Sequence, residues 1–363
     1  MEQSVDLVTL KAFVALELFG GIGMLILLVS ALLSQMRIIR PITVDSTPKT
    51  INRSLTWFSF CISWIISASS FCLLFFAGKQ FDVNELPSYG LCLTQAVLVY
   101  ASPPLTGATT FALFFEMWLI FRAAITDQRF GGVRRVARIF LLSVPYGFWI
   151  VLLVGLFIVG GIEPELVQRD LTFAPYCTMR SSIISVLVSV LELVSALAVL
   201  VMLVILVINL FRVRQQISRW RSNGRHKEMM ALLIRLLLFG VLGLIAATIS
   251  TVFIFNRSPG VKSNIAFAVL PSGGALVFGS QKDFLQLWTN LFLRSIQTIL
   301  PCTRRRRPAQ SDSQDSSKNS QHDLLTVELD TMHHSGSETF LISSQNDEEV
   351  NIPLTPKRMR INA

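Results

Sequence analysis

Apolar residues gather in seven long runs separated by short polar segments, at about 12–34, 55–77, 93–121, 139–160, 182–210, 231–255 and 264–281. A helix that spans the hydrocarbon core of a bilayer needs about 20 mainly apolar residues, and each run predicts one. The third and fifth exceed that length, which predicts tilt or extension past the membrane face. The seventh is the shortest and carries Gly273, Gly274 and Gly279. The first run is longer than a signal-peptide core of about 7–15 residues and no small-residue cleavage site follows it, so it predicts a retained helix.

Past the seventh run, Phe284, Trp288, Leu291, Phe292, Ile296 and Ile299 recur at helical spacing, with Asp283, Gln286, Asn290, Arg294 and Gln297 opposite them. This pattern predicts an amphipathic helix lying in the membrane interface. From about Pro308 onward Ser, Gln, Asp and Asn replace large apolar residues. Such a segment buries too little surface to offset its ordering entropy and predicts disorder. The expected fold class is therefore all-α: a polytopic membrane protein. It comprises a seven-transmembrane helix bundle over 1–281, an interfacial eighth helix over 282–300, and a disordered tail over 301–363.

Composition agrees. Of 363 residues 52% are hydrophobic and 15% charged, against about 25% charged in soluble domains. The net charge of +9 comes from short basic clusters between the apolar runs. That placement orients a membrane protein and does not form a nucleic-acid-binding face. With seven spans, one side of the membrane receives Arg37, Arg40, Arg122, Arg134, Arg135, Arg138, Arg212, Arg214 and the run Arg304–Arg307. The other receives Lys11, Lys79, Arg169, Arg180, Arg257 and Lys262. The richer side is cytoplasmic by the positive-inside rule. The expectation is a multi-pass protein of the plasma membrane, amino terminus outside and carboxyl tail in the cytoplasm.

Under that topology Cys92 and Cys177 both face the oxidising side, where a disulfide persists; the alternative is two unpaired thiols. Cys61 and Cys72 fall within the apolar runs and Cys302 inside. Ionisable residues within a bilayer are costly and point to function. Glu17 and Glu192 lie in the outer halves of their helices, where a ligand from outside would arrive. Packing hydrogen bonds to Ser or Thr are their other reading. Glu116 lies in the inner half, where a structural pairing with a basic residue such as Arg122 or Arg235, or a packing hydrogen bond to Ser or Thr of a neighbouring helix, competes with a functional role. Pro103-Pro104, Pro145 and Pro271 interrupt three runs. A proline frees a helical carbonyl and kinks the chain, which makes Pro104 a pocket candidate beside Glu17 and Glu192. Cys302 is a lipidation candidate next to a basic cluster that suits anionic lipid, or a plain unmodified thiol. Thr355, followed by Pro356, is a candidate for tail kinases, or part of an unregulated solvated tail. The chain carries no HExxH, nucleophile-elbow or Walker motif. With only His333-His334 as adjacent histidines, in the tail, no enzyme, metal or cofactor is expected.

Seven helices, an outer cysteine pair between the third helix and the second outer loop, a basic third inner loop and an amphipathic eighth helix together resemble a G-protein-coupled receptor. The third helix ends Phe121-Arg122-Ala123 without the acid that precedes this arginine in rhodopsin-like receptors. The seventh has Leu270-Pro271-Ser272-Gly273-Gly274 in place of Asn-Pro-x-x-Tyr. The run Phe278-Gly279-Ser280-Gln281-Lys282-Asp283 with Trp288 is similar to the end of helix seven in divergent fungal receptor-like proteins. The resemblance implies a receptor that senses an unknown extracellular ligand and signals to a heterotrimeric G protein. Glu116, Arg122, Arg134, Arg135, Arg138, Arg212, Arg214 and Arg235 would then lie toward the coupling face. A membrane transporter and a non-signalling membrane scaffold are the competing expectations.

Overall fold

The computed structural model describes residues 7–36, 53–82, 86–126, 131–169, 174–217, 224–255, 261–281 and 284–289. All lie in the first of the two units into which the chain's contacts divide it at Cys302. The helices are α1 Leu7–Gln35, α2 Leu55–Phe71, the short α3 Leu73–Phe76, α4 Tyr89–Thr126, α5 Gly131–Ile162, α6 Ser182–Ile217, α7 Gly224–Phe255 and α8 Val261–Gly279. Most extend past the apolar runs, because a formed helix continues into polar residues at the cost of one backbone conformation per hydrogen bond gained. Four of them, in whole or part, are long and apolar enough to cross a membrane: Leu7–Gln35, Tyr89–Ala123, Val136–Ile162 and Ser182–Asn209. Leu55–Phe71, Leu233–Ala246 and Asn264–Gly279 are shorter apolar helices. The chain is a mostly helical, membrane-embedded protein.

It is not wholly helical. Between α5 and α6, β1 (Val167–Arg169) and β2 (Cys177–Met179) pair antiparallel, with Gln168 opposite Thr178. Strands of three residues are too short for the alternation that would reveal them in a sequence.

The helices close into a ring. α1 packs on α2 and α8, α4 packs on α2 and α6, and α7 joins α6 to α8. α5 flanks this ring against α4 and, more weakly, α2. The most extensive contact is between α1 and α8, and glycines make it so. A Cβ on Gly20 would fall 2.5 Å from the Ser272 nitrogen and 2.6 Å from Pro271. On Gly23 it would fall 2.6 Å from the Ala275 Cβ, and on Gly21 2.9 Å from the Ala68 Cβ of α2. Lipid tails are as apolar as leucine, so membrane helices associate through close packing of small residues and through hydrogen bonds. Both act here, since the Ser272 hydroxyl donates to the Leu16 carbonyl at 2.6 Å across the seam.

The same logic turns polar residues inward. Ser59, Ser63, Ser67 and Ser70 of α2 are buried and fall on one helical stripe. Ser63 shares a 2.7 Å hydrogen bond with Thr109 of α4, and Ser59 donates to the Tyr146 hydroxyl of α5 at 3.2 Å. Large apolar residues such as Ile139, Val151, Leu193 and Val201 are exposed on α5 and α6.

At the end opposite the hairpin, residues 284–289, the described part of the expected eighth helix, are helical. Phe284 and Leu287 are buried in the bundle. Phe284 stacks on Trp57 of α2 at 6.1 Å, and the Trp288 indole donates to Ser30 of α1 at 3.1 Å. The Arg53 guanidinium covers both Trp57 and Phe284 and donates to Gln281. Lys282, Asp283, the rest of the expected eighth helix, Cys302 and Thr355 lie outside the described residues.

The seam yields a differential prediction for the purified protein in detergent. Gly20→Ala should lower its thermal stability by about 1–3 kcal/mol, because the new methyl meets backbone that cannot turn aside. Gly155→Ala, where a Cβ would meet nothing within 4 Å, should be neutral or raise stability by up to about 1 kcal/mol through helix propensity. Equal effects at the two sites would show that the seam is not closely packed.

Candidate functional site

The ring encloses a cavity of about 390 Å³, within the range of roughly 300–1,000 Å³ that holds small ligands. Every helix of the ring reaches it. α1 contributes Phe13 and Glu17, α2 Trp64, Ser67 and Phe71, and α4 Tyr100, Pro103 and Thr106. From the far side come Ser189, Glu192 and Ser195 of α6, Phe239 and Gly243 of α7, and Asn264, Phe267 and Pro271 of α8. Glu17 and Glu192 therefore line one cavity from helices that stand opposite each other in the ring. Of the two prolines in α4, Pro103 and not Pro104 reaches it; Pro104 is buried within the bundle. Pro103 leaves the Val99 carbonyl without its helical donor, and the Ser102 hydroxyl donates to that carbonyl at 3.2 Å.

The hairpin roofs the cavity, and its position is over-determined. The disulfide Cys92–Cys177, with Cα atoms 5.3 Å apart, ties β2 to the start of α4. The buried Gln95 side chain accepts from the Cys177 amide at 3.0 Å and donates to the Phe71 carbonyl at 3.1 Å. That carbonyl lies at the end of α2, where the chain breaks at Cys72 before α3. Gln80 donates to the Pro175 carbonyl at 2.6 Å, and Arg169 donates to the carbonyls of Asp82 and Gln80 at 3.0 and 2.8 Å. These contacts hold Tyr176 over the mouth, where its hydroxyl donates to Asn264 Oδ1 at 3.1 Å. Its ring meets Phe71 at 5.1 Å and Phe13 at 6.3 Å. The phenol is pushed well above its ordinary range, first by burial and then by the charges of Tyr100, Glu192 and Glu17. The tyrosine thus sits within the field of both cavity acids.

Two buried polar atoms at the wall lack hydrogen-bond partners: Glu17 Oε2 and the Trp64 indole nitrogen. Both side chains are more than nine-tenths buried. Unpaired buried polar groups cost free energy, so the cavity wall carries unsatisfied bonding capacity. Gln95, Tyr176, Trp64 and the glycine seam were not singled out from sequence. Only the four-residue spacing of Phe13 and Glu17, which places both on one helical face, hinted that an aromatic ring stands beside the first acid.

At the opposite end Glu116, 3% exposed, has the structural partners expected of it, a basic residue and a hydroxyl of a neighbouring helix, but the basic residue is Arg138 and not Arg122 or Arg235. Its carboxylate pairs with Arg138 of α5 at 3.2 Å and accepts from Thr56 of α2. It thereby joins α2, α4 and α5. Arg122 is exposed and lies over the Trp118 ring, and Arg235 donates to the Ser280 carbonyl at 3.1 Å. The side chains of Arg134, Arg135, Arg212 and Arg214 lie outside the described residues. Among the described residues no three His, Cys, Asp or Glu side chains cluster as metal ligands.

Arg138→Gln should destabilise the purified protein by about 1–3 kcal/mol, less than for a fully dry pair because Arg138 is partly exposed. Lys11→Gln, at an exposed position, should fall within about 0.5 kcal/mol of wild type. Equal melting temperatures for the two variants would remove the structural role of the Glu116–Arg138 pair. No protein-family model matches the chain, and no curated protein matches it.

Proposed function

We propose that this protein is a seven-span, G-protein-coupled-receptor-like membrane protein of the plasma membrane. In this reading α1, α2 with α3, α4, α5, α6, α7 and α8 each cross the bilayer, with the hairpin outside and the helix that begins at Phe284 on the cytoplasmic side. A small extracellular ligand binds in the cavity and a heterotrimeric G protein meets the opposite end. The observation that carries the reading is a ligand-sized cavity, lined by every helix of a closed ring and roofed by a disulfide-pinned hairpin. A ligand that binds one arrangement of such a ring better than another shifts the population between them. The inner ends supply joints for that shift in Glu116–Arg138, Arg53–Gln281 and Arg235–Ser280.

The two acids of the cavity, Glu17 and Glu192, also favour transport of a cation, since intramembrane carboxylates mark ion and proton paths. The two readings separate in live cells. Proximity between the full chain and a panel of Gα subunits should be nucleotide-sensitive. It should be lost when Arg134, Arg135, Arg212 and Arg214 are changed to Gln with surface expression retained. Arg138 is left in place because it holds Glu116. Absence of association with every Gα, together with cation flux that falls in Glu17→Gln, would replace receptor with transporter.

A further inference from the structure

We infer that the cavity takes a small organic cation, a protonated amine or quaternary ammonium, its charge held between Glu17 and Glu192 and its apolar part against the rings of Phe13, Phe71 and Tyr176. The inference deepens the reading of the cavity as a ligand site and rests on it, but not on coupling to a G protein.

Charge gives the first argument. Among the described residues two carboxylic acids line the cavity and no Lys, Arg or His does. Glu17 is 2% exposed, and its Oε2 has no hydrogen-bond partner. Glu116 shows what the fold does when an acid serves packing: it supplies Arg138 and Thr56. Two hydroxyls near Glu17 are committed elsewhere. Ser272 donates to the Leu16 carbonyl and Tyr176 to Asn264. A charge taken out of water needs a counter-charge or a proton, and the described residues of the cavity wall supply no counter-charge here. An anionic ligand would meet two acids, and a neutral one would leave them uncompensated.

Shape gives the second. Phe13 stands one helical turn from Glu17 on α1, with its ring 5.8 Å from Phe71 and 6.3 Å from Tyr176. Cations bind over aromatic faces, more strongly where water is excluded. Because the Tyr176 hydroxyl is already engaged, what it offers the cavity is ring. The volume of about 390 Å³ suits an amine with an aryl or alkyl body, and is far larger than a bare metal ion requires.

Three compounds of one skeleton test charge alone: 2-phenylethylamine, protonated at neutral pH, 2-phenylethanol, and phenylacetate. Affinities are measured on the purified full-length protein in phosphatidylcholine nanodiscs. The amine should bind roughly tenfold or more tighter than the alcohol and the acid. Glu17→Gln should abolish that advantage. Glu192→Gln, on the opposite and less buried wall, repeats the test should Glu17→Gln fail to fold. Charge-blind binding, preference for the acid, or no binding of the amine would overturn the inference. Loss of the receptor reading would register separately, as absent Gα association whatever the ranking of these compounds.

Discussion

The close approach of α1 to α8 governs the rest of this structure. Gly20 and Gly23 bring α1 against Pro271, Ser272 and Ala275 nearer than any side chain would permit, and this contact closes the ring. It also sets the rotation of α1. With its glycine face on α8, the Phe13–Glu17 edge one turn above points into the enclosed space. In water the hydrophobic effect would drive such packing; between helices in lipid, fit and hydrogen bonds must do it. Small residues therefore concentrate where position matters most.

The two ends of the ring are built on opposite plans. The hairpin end is held by a disulfide, Gln95, Gln80 and Arg169, so the roof has little freedom relative to α4. Its cavity nonetheless contains an acid oxygen, Glu17 Oε2, without a hydrogen-bond partner. The other end pairs its charges: Glu116 with Arg138, Arg53 with Gln281 and two rings, Arg235 with a helix-terminal carbonyl. A rigid frame around an unsatisfied interior suits binding, and a set of separable polar contacts at the far end suits a change of packing.

Much of this was legible in the amino-acid order, because bilayer length and the cost of buried charge write themselves into sequence. Five of the seven apolar runs lie wholly within a helix, 264–281 overruns α8 by two residues and 55–77 divides between α2 and α3; the disulfide joins the two cysteines placed on one side, and Glu17 and Glu192 line one cavity. What escaped was set by register and by contact across distant segments. Apolar length says nothing about which face of a helix turns inward, so Pro103 and Pro104 could not be told apart. The partner of Glu116 depends on how α5 docks, and Arg138 lies no nearer in sequence than residues with as good a claim. The hairpin is too short to show a period. Phe284 and Trp288 belong to the apolar face expected past the last run, and their packing on Trp57 and Ser30 is a contact between distant segments that spacing alone does not show.

The central claim is that Glu17 and Glu192 face each other across one cavity closed by the α1–α8 seam. Cysteines placed at both positions, in full-length protein whose Cys61 and Cys72 are replaced by Ala, test it through bridging by a short bifunctional thiosulfonate. The account predicts an intramolecular bridge between Glu17→Cys and Glu192→Cys, and none when Phe19→Cys or Leu193→Cys, which are exposed on the outer surface, replaces either partner. Failure of the first pair to bridge, or equal bridging by the outer pair, would contradict it.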